Sequence, residues 1–410
     1  MFAKIICMAS AKGGSGKTIL TATFGAFLAA LGKKVLLIDT DAATNGLTLL
    51  YLKEVMTRCE FAIAEGRKPR GIYERLPDSA CAEVTILNNG VHLIPATYTF
   101  LDTELTPLEE FKVSISAVLK DLRESYEFVF LDAQSGSDEF AQYCMNRNVS
   151  DEVVIVSEYD PMSAAGVERL KGLLREDLTY VRTWVLLNKM LPEFVQSFSD
   201  FLEVAKYLNP IPWDADVVKA YARRRLALDL DNGNEHTLAI MQATRTLFGE
   251  QIAAEVDAWR MDRATAIRQP LETQFHDLEL ELDALVRERF RISRSLERRR
   301  TFRLAASVGL GIALMGVGWG ILEVSSAGKA GMEWLTWKTV LSAGVAISVL
   351  VATFVSTRGL DAPEAEIEEA RIRRREGIVE QKLKRLETLR TADLETLVKT
   401  KQQVLHFDGP

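Results

Sequence analysis

Between residue 1 and about residue 250, short continuous apolar runs alternate with stretches whose apolar positions recur at helical spacing. This is the pattern of strand–helix units around a mostly parallel sheet covered on both faces. The runs KIICMA (4–9), KVLLID (34–39), VHLIPA (91–96), FVFLD (128–132), EVVIVS (152–157) and TWVLLN (183–188) are short, rich in Val, Ile and Leu, and read as buried strands. Helices are predicted at about 17–31, 104–124, 137–147, 162–176, 193–206 and 215–229. No internal repeat of 20 to 50 residues is evident.

Around Pro270 the period changes. Leu271, Phe275, Leu278, Leu282, Leu285, Arg289, Ile292 and Leu296 recur at alternating spacings of four and three, the seam of a coiled-coil helix, with Pro270 suited to its first position and Arg289 breaking the seam. A second charged helical tract runs from about Glu364 to Val404. Between the two tracts, Leu304–Leu322 and Thr339–Thr357 are each 19 residues without a charge, long enough at about 1.5 Å per residue to approach the roughly 30 Å hydrocarbon thickness of a bilayer. Gly316 and Gly320, with Ser342 and Ala346, offer small residues for close contact between them. Arginines crowd residues 287–303 and 358–375, whereas the intervening 323–338 carries only Lys329 and Lys338, so both ends of a two-span hairpin are expected on the cytoplasmic side.

The expected layout is therefore a strand–helix domain at 1–255, a coiled-coil stalk at 256–303, a transmembrane hairpin at 304–357 (spans 304–322 and 339–357) and a C-terminal cytoplasmic helix at 358–410. The expected location is a bacterial-type inner membrane, multi-pass, with both termini and the N-terminal domain cytoplasmic.

Composition narrows the picture. The chain has 410 residues, 48% of them hydrophobic, enough for a full core and more than one structural unit. Its formal net charge of -7 argues against a globally basic nucleic-acid binder. Cys7, Cys59, Cys81 and Cys144 lack a C-x-x-C spacing, and the histidines are scattered, so reduced thiols and no zinc site are expected. No cleavable signal is expected at the start, which runs directly into strand and glycine-rich loop.

That loop carries the clearest chemistry. In ASAKGGSGKTIL (9–20), Gly13, Gly14, Ser15 and Gly16 allow successive backbone N–H groups to face phosphate oxygens, and the positive end of the following helix adds to them. Lys17 is placed to reach the terminal phosphates and Thr18 to ligate Mg²⁺. The fold class expected is α/β, a mostly parallel doubly wound P-loop NTPase sheet followed by an α-helical coiled-coil stalk and a two-helix transmembrane hairpin. Asp39 and Asp41 end one predicted strand and Asp132 ends another, so three acids are expected at the phosphate end of the sheet.

The string Lys12-Gly13-Gly14-Ser15-Gly16-Lys17-Thr18 resembles the deviant Walker A motif of ParA/MinD ATPases, and the resemblance covers roughly residues 1–250. It implies ATP and Mg²⁺ as cofactors and a dimer around the nucleotide, with Lys12 crossing to the partner's phosphates as a catalytic cation. DTDAATNGLT is similar to the family's switch I, which implies Asp39 in the Mg²⁺ shell and Asp41 as the catalytic residue that positions the attacking water. VFLDAQSG is similar to Walker B and switch II, with Asp132 linked to the metal. VLLNK and PIPWD resemble the segments that read the adenine, here through Asn188 and Pro212. Ala42 and the Ala133-Gln134-Ser135 run depart from a family that often has Pro in these switches.

The function expected from these readings is a membrane-anchored ATPase that dimerises around ATP and switches binding of an unidentified protein partner on hydrolysis, with the lipid bilayer as a further partner. One alternative is a slow or non-hydrolysing nucleotide-gated scaffold or sensor. A DNA-partitioning ATPase is another, with Arg223–Arg225 as the candidate phosphate patch, although nucleic acid is not the favoured partner. A bacterial tyrosine kinase fits poorly, because the hairpin would follow the ATPase region and residues 363–410 contain no tyrosine.

Overall fold

A computed structural model describes residues 3–74, 82–100, 106–136, 138–173, 182–191, 194, 206–229, 234–326, 344–345, 347–351 and 362–405. The chain divides into two compact units, residues 1–267 with 393–410, and residues 268–392.

The first unit is built on a sheet. Strands β1 (Lys4–Ser10), β2 (Val35–Thr40), β3 (Thr85–Ile86), β4 (His92–Ile94), β5 (Phe128–Ser135), β6 (Glu152–Glu158) and β7 (Arg182–Asn188) lie in the order β3-β4-β2-β5-β1-β6-β7. All neighbours are parallel except β3 with β4. The six predicted apolar runs are the six longer strands, with ends differing by up to three residues. Their central residues are almost fully buried because helices cover both faces of a parallel sheet.

Helices α1 (Lys17–Ala30), α2 (Gly46–Leu50), α3 (Leu52–Ala64), α4 (Leu108–Leu122), α5 (Glu139–Met145), α6 (Pro161–Leu173), α7 (Ala215–Ala222) and α8 (Glu235–Phe248) connect and cover the strands. The α1 face that meets the sheet contributes Leu20, Phe24, Phe27 and Leu28 to the core, and Phe24 stacks on Phe130 of β5. Of the predicted helix at 193–206, all but residues 194 and 206 lie outside the described residues. Helix α7 ends at Ala222, seven residues short of the predicted limit, where Arg224 takes a left-handed φ of 52°.

The long helix α9 (Ala253–Ser326) begins in this unit rather than at Pro270, which sits inside it. Trp259 packs edge-on against Phe27, and Lys33 donates to Glu255 at 2.7 Å, so the first turns of α9 are fastened to α1. Helix α11 (Leu394–Leu405) also belongs here: it contacts α8 and buries Leu394, Leu397 and Val398, while Arg260 of α9 donates to its Glu395 at 2.7 Å.

In the second unit α9 pairs with α10 (Ala362–Arg390). Leu278, Leu282, Leu285 and Ile292 of the predicted seam meet Ile372, Val379 and Leu383. Arg289, the seam's exception, donates to Glu376 at 2.7 Å, and Glu376 is only 5% exposed. Near Gly311, α9 passes close to Leu350, whereas Gly316 has open space around it and Gly320, Ser342 and Ala346 fall outside the described side chains.

The predicted two-span hairpin is corrected at this level. Among the described residues no helix is long and apolar enough to cross a membrane. Of the second expected span, 339–357, only 344–345 and 347–351 are described. The inner-membrane, multi-pass localisation drawn from these segments does not stand, and the bilayer expected as a partner loses the observation that motivated it.

Candidate nucleotide site

In an open parallel sheet, ligands gather at the carboxyl ends of the strands where the connections diverge. Here β1 lies between β5 and β6, and the glycine-rich loop leaves β1 at that end. Gly14 and Gly16 have φ of 82° and 88°, left-handed values that glycine tolerates and that let the loop curl before α1. At Gly16 a side chain is excluded twice, since an added Cβ would stand 2.4 Å from Asn188 Nδ2.

The first turn of α1 meets the tips of β2 and β5. Lys17, 4% exposed, donates from Nζ to Asp132 Oδ1 at 2.9 Å. Thr18 Oγ1 donates to Asp132 Oδ2 at 2.8 Å, and Thr21 Oγ1 to Oδ1 at 3.0 Å. Asp39 is the direct partner of Asp132 in the β2–β5 register, and Thr48 donates both its amide and its hydroxyl to Asp39 Oδ2. Burial works against the Lys17 ammonium, but Asp132, with Asp41 and Asp39 behind it, holds it above its ordinary pKa. Asp39 is pushed up to about 7, first by burial and then by the charge of Asp132.

Two buried carboxylates on adjacent strands share one buried ammonium, that of Lys17, which leaves this corner short of positive charge. Thr18 and Asp132, with Asp39 beside Asp132 in the strand register, bring to this corner hard oxygen donors of the kind Mg²⁺ takes. Among the described residues no group of three or more His, Cys, Asp or Glu could hold a metal ion.

Asp41 is 3% exposed, and both of its oxygens are engaged. Oδ1 accepts from the amides of Ala43 and Thr44, and Oδ2 from the Thr44 hydroxyl at 2.7 Å. Lys12 lies apart from the buried group. Its half-exposed side chain reaches Glu158 Oε2 at 3.5 Å and Asp160 Oδ2 at 3.7 Å, past the end of β6. Glu158 gives its other oxygen to Lys189 Nζ at 2.6 Å, and the same ammonium donates to the Gly14 carbonyl at 2.6 Å, tying the loop to the end of β7. Nothing in the local sequence flags Glu158, Asp160 or Lys189; strand order brings them together.

Asn188 and Pro212 line a cavity of about 150 Å³ beside the loop. Asn188 donates Nδ2 to the Ser15 carbonyl at 2.7 Å. Ile19, Trp213, Val218, Tyr221 and His236 form further walls. Arg223–Arg225 follow α7, exposed; Arg225 donates to the Asp229 carbonyl.

Residues 3–180 match the family described as AAA domain. The chain is 22% identical over 259 residues to the septum site-determining protein MinD of Bacillus subtilis, a match covering 61% of this chain and 91% of that protein. The N-terminal region is ParA/MinD-like. A further ParA/MinD-type relative, the sporulation initiation inhibitor protein Soj of B. subtilis, is 26% identical over 195 residues, covering 46% of this chain and 71% of Soj. Among solved structures, MinD in the MinC:MinD cell division complex of Aquifex aeolicus is 26% identical with a TM-score of 0.47, covering 60% of this chain and 97% of that one. The match to MinD leaves 39% of this chain outside it.

Proposed function

We propose that the first unit binds ATP with Mg²⁺, that two copies clasp one another around the nucleotide, and that hydrolysis resets the surface this dimer offers to a protein partner. ParA/MinD-type P-loop proteins are generally ATP hydrolases. In this reading the loop N–H groups and Lys17 take the β- and γ-phosphates, and Thr18, Asp39 and Asp132 hold the metal, which when bound offsets phosphate charge. Asn188 and Pro212 flank the base.

The observation that carries the proposal is the contrast between the two lysines. Lys17 is buried and locked to Asp132, whereas Lys12 stands at the rim, half exposed, on long ion pairs to Glu158 and Asp160. Pairs of that kind are worth about 0.2–1 kcal/mol, so Lys12 is free to exchange them for the far larger charge of a triphosphate presented by a second copy. A cation arriving from outside stabilises charge spreading over the transferred phosphoryl group, as an arginine finger does. Steady-state ATPase assays across a range of protein concentrations test this. The specific rate should rise with concentration and drop by two or more orders of magnitude in Lys12→Ala; a rate indifferent to both removes the cross-dimer role.

A second reading, a nucleotide-gated scaffold with little or no turnover, draws on Asp41. With both carboxylate oxygens occupied by the Ala43–Thr44 turn, its role in positioning water requires switch I to open. If the parent chain dimerises on ATP without measurable hydrolysis, and Asp41→Ala dimerises as tightly, the scaffold reading is the better one.

A further inference from the structure

A polar side chain lining the cavity beside the loop is left unexplained by phosphate and metal binding. Around the cavity Asn188 spends its amide nitrogen on Ser15, and Asp214 spends Oδ1 on the Asp216 amide and Oδ2 on the amide of His236. The imidazole of His236 differs: the residue is one of those lining the cavity, it is 3% exposed, and its Nε2, screened from solvent, has no hydrogen-bond partner among the described residues. Native structures seldom leave such an atom unpaired, and each exception calls for an explanation.

We infer that His236 Nε2 is the hydrogen-bond partner of the nucleobase, making the first turn of α8 a specificity-determining part of the nucleotide site. The inference rests on the ATP-binding reading above. The residue is held in place from several sides: Asn234 caps α8 through Thr237 and donates to the Ala227 carbonyl, and Asp214 receives the His236 amide while its other oxygen caps α7.

The surroundings select for an uncharged, flat ligand. Burial pulls the His236 pKa down to about 4, so near neutral pH the ring offers one N–H and one lone pair rather than a charge. Such a ring complements a base edge and has no charge to attract a phosphate. Trp213, Val217, Val218 and Tyr221 add apolar and aromatic walls against which a planar ring packs. Adenine carries a donor and an acceptor side by side, so either tautomer of His236 finds a match.

Calorimetric titration of the full chain with ATP and with inorganic tripolyphosphate separates the base from the phosphates. The inference expects His236→Phe to weaken ATP binding about tenfold and leave tripolyphosphate unchanged, and His236→Gln, which keeps a donor and an acceptor, to stay within about threefold of the parent. Wild-type ATP affinity in His236→Phe, or equal losses for both ligands, overturns it. In the unsubstituted chain the ¹⁵N resonance of His236 Nε2 should move on saturation with ATP and hold still with tripolyphosphate; an unmoved resonance in the ATP complex also overturns it. Failure of the parent chain to bind either ligand defeats the nucleotide reading itself, whereas binding both equally tightly defeats only the role of His236.

Discussion

Lys12 and Lys17 lie five positions apart in one loop and meet opposite electrostatics. Removing the Lys17 ammonium leaves Asp132, which has no solvent exposure, without its counter-charge, a change that typically costs about 3–5 kcal/mol. Lys17→Met should therefore lower the nucleotide-free thermal midpoint sharply, while Lys12→Ala leaves it within about a degree or two; scanning calorimetry of the two variants checks this. His236 adds a pH dependence of known sign. Its folded pKa of about 4 lies below the ordinary 6.5, so between those values the unfolded chain binds more protons and stability falls as the pH is lowered from about 6.5 to 4. The loss attributable to this ring is on the order of 3 kcal/mol, and denaturant melts of the parent and His236→Phe over that range should differ by it. At this scale the sequence displays the loop, Thr18, Asp39 and Asp132, because their chemistry is packed into contiguous motifs. It conceals Glu158, Asp160, Lys189 and His236, whose neighbours come from strands and helices distant along the chain.

Elements with strong periodicity were legible and those without it were not. Continuous Val/Ile/Leu runs mark six strands, since a parallel sheet buried on both faces tolerates little else. The two-residue β3 has too few positions to announce itself, α2 begins inside the switch-like DTDAATNGLT segment, where turn-forming residues mask the helical period, and α3 follows directly. The start of α9 was misplaced because Pro270 is a good first helical residue, yet here it lies inside a continuous helix, where it leaves the Ala266 carbonyl without its i+4 donor. Pro270→Ala should restore that bond and raise stability by about 1–3 kcal/mol, visible as a higher midpoint in helix-monitored melts. Arg289 is informative in another way. As a seam residue it looks like a defect, and the fold answers it with Glu376. Arg289→Leu alone should destabilise by about 2 kcal/mol by leaving that carboxylate buried and unpaired, while the double variant with Glu376→Leu should recover the loss or exceed the parent; a double-mutant cycle measures the difference.

For the molecule as a whole, nucleotide binding is also a stability term. ATP at a hundredfold its Kd should raise the unfolding free energy of the first unit by about 2.7 kcal/mol, with a further dependence on protein concentration if binding is coupled to dimerisation. The division into two units follows from residues far apart in the chain: Ala264 and Ile267 near the start of α9, and Leu394, Leu397 and Val398 of α11, are all buried within the first. No local reading of the sequence gathers these, because the 125 residues between Ile267 and Asp393 form a unit of their own. The same topology governs how the gene should be cut. A fragment stopped before residue 268 discards a helix from its own core: it loses the burial of Leu394, Leu397 and Val398, each worth about 1.5–3 kcal/mol when covered, and uncovers the surface they pack on. Excising 268–392 and rejoining the flanks with a short glycine-rich bridge keeps every piece of the head, so the internal deletion, and not the tail truncation, is the route to an isolated ATP-binding module.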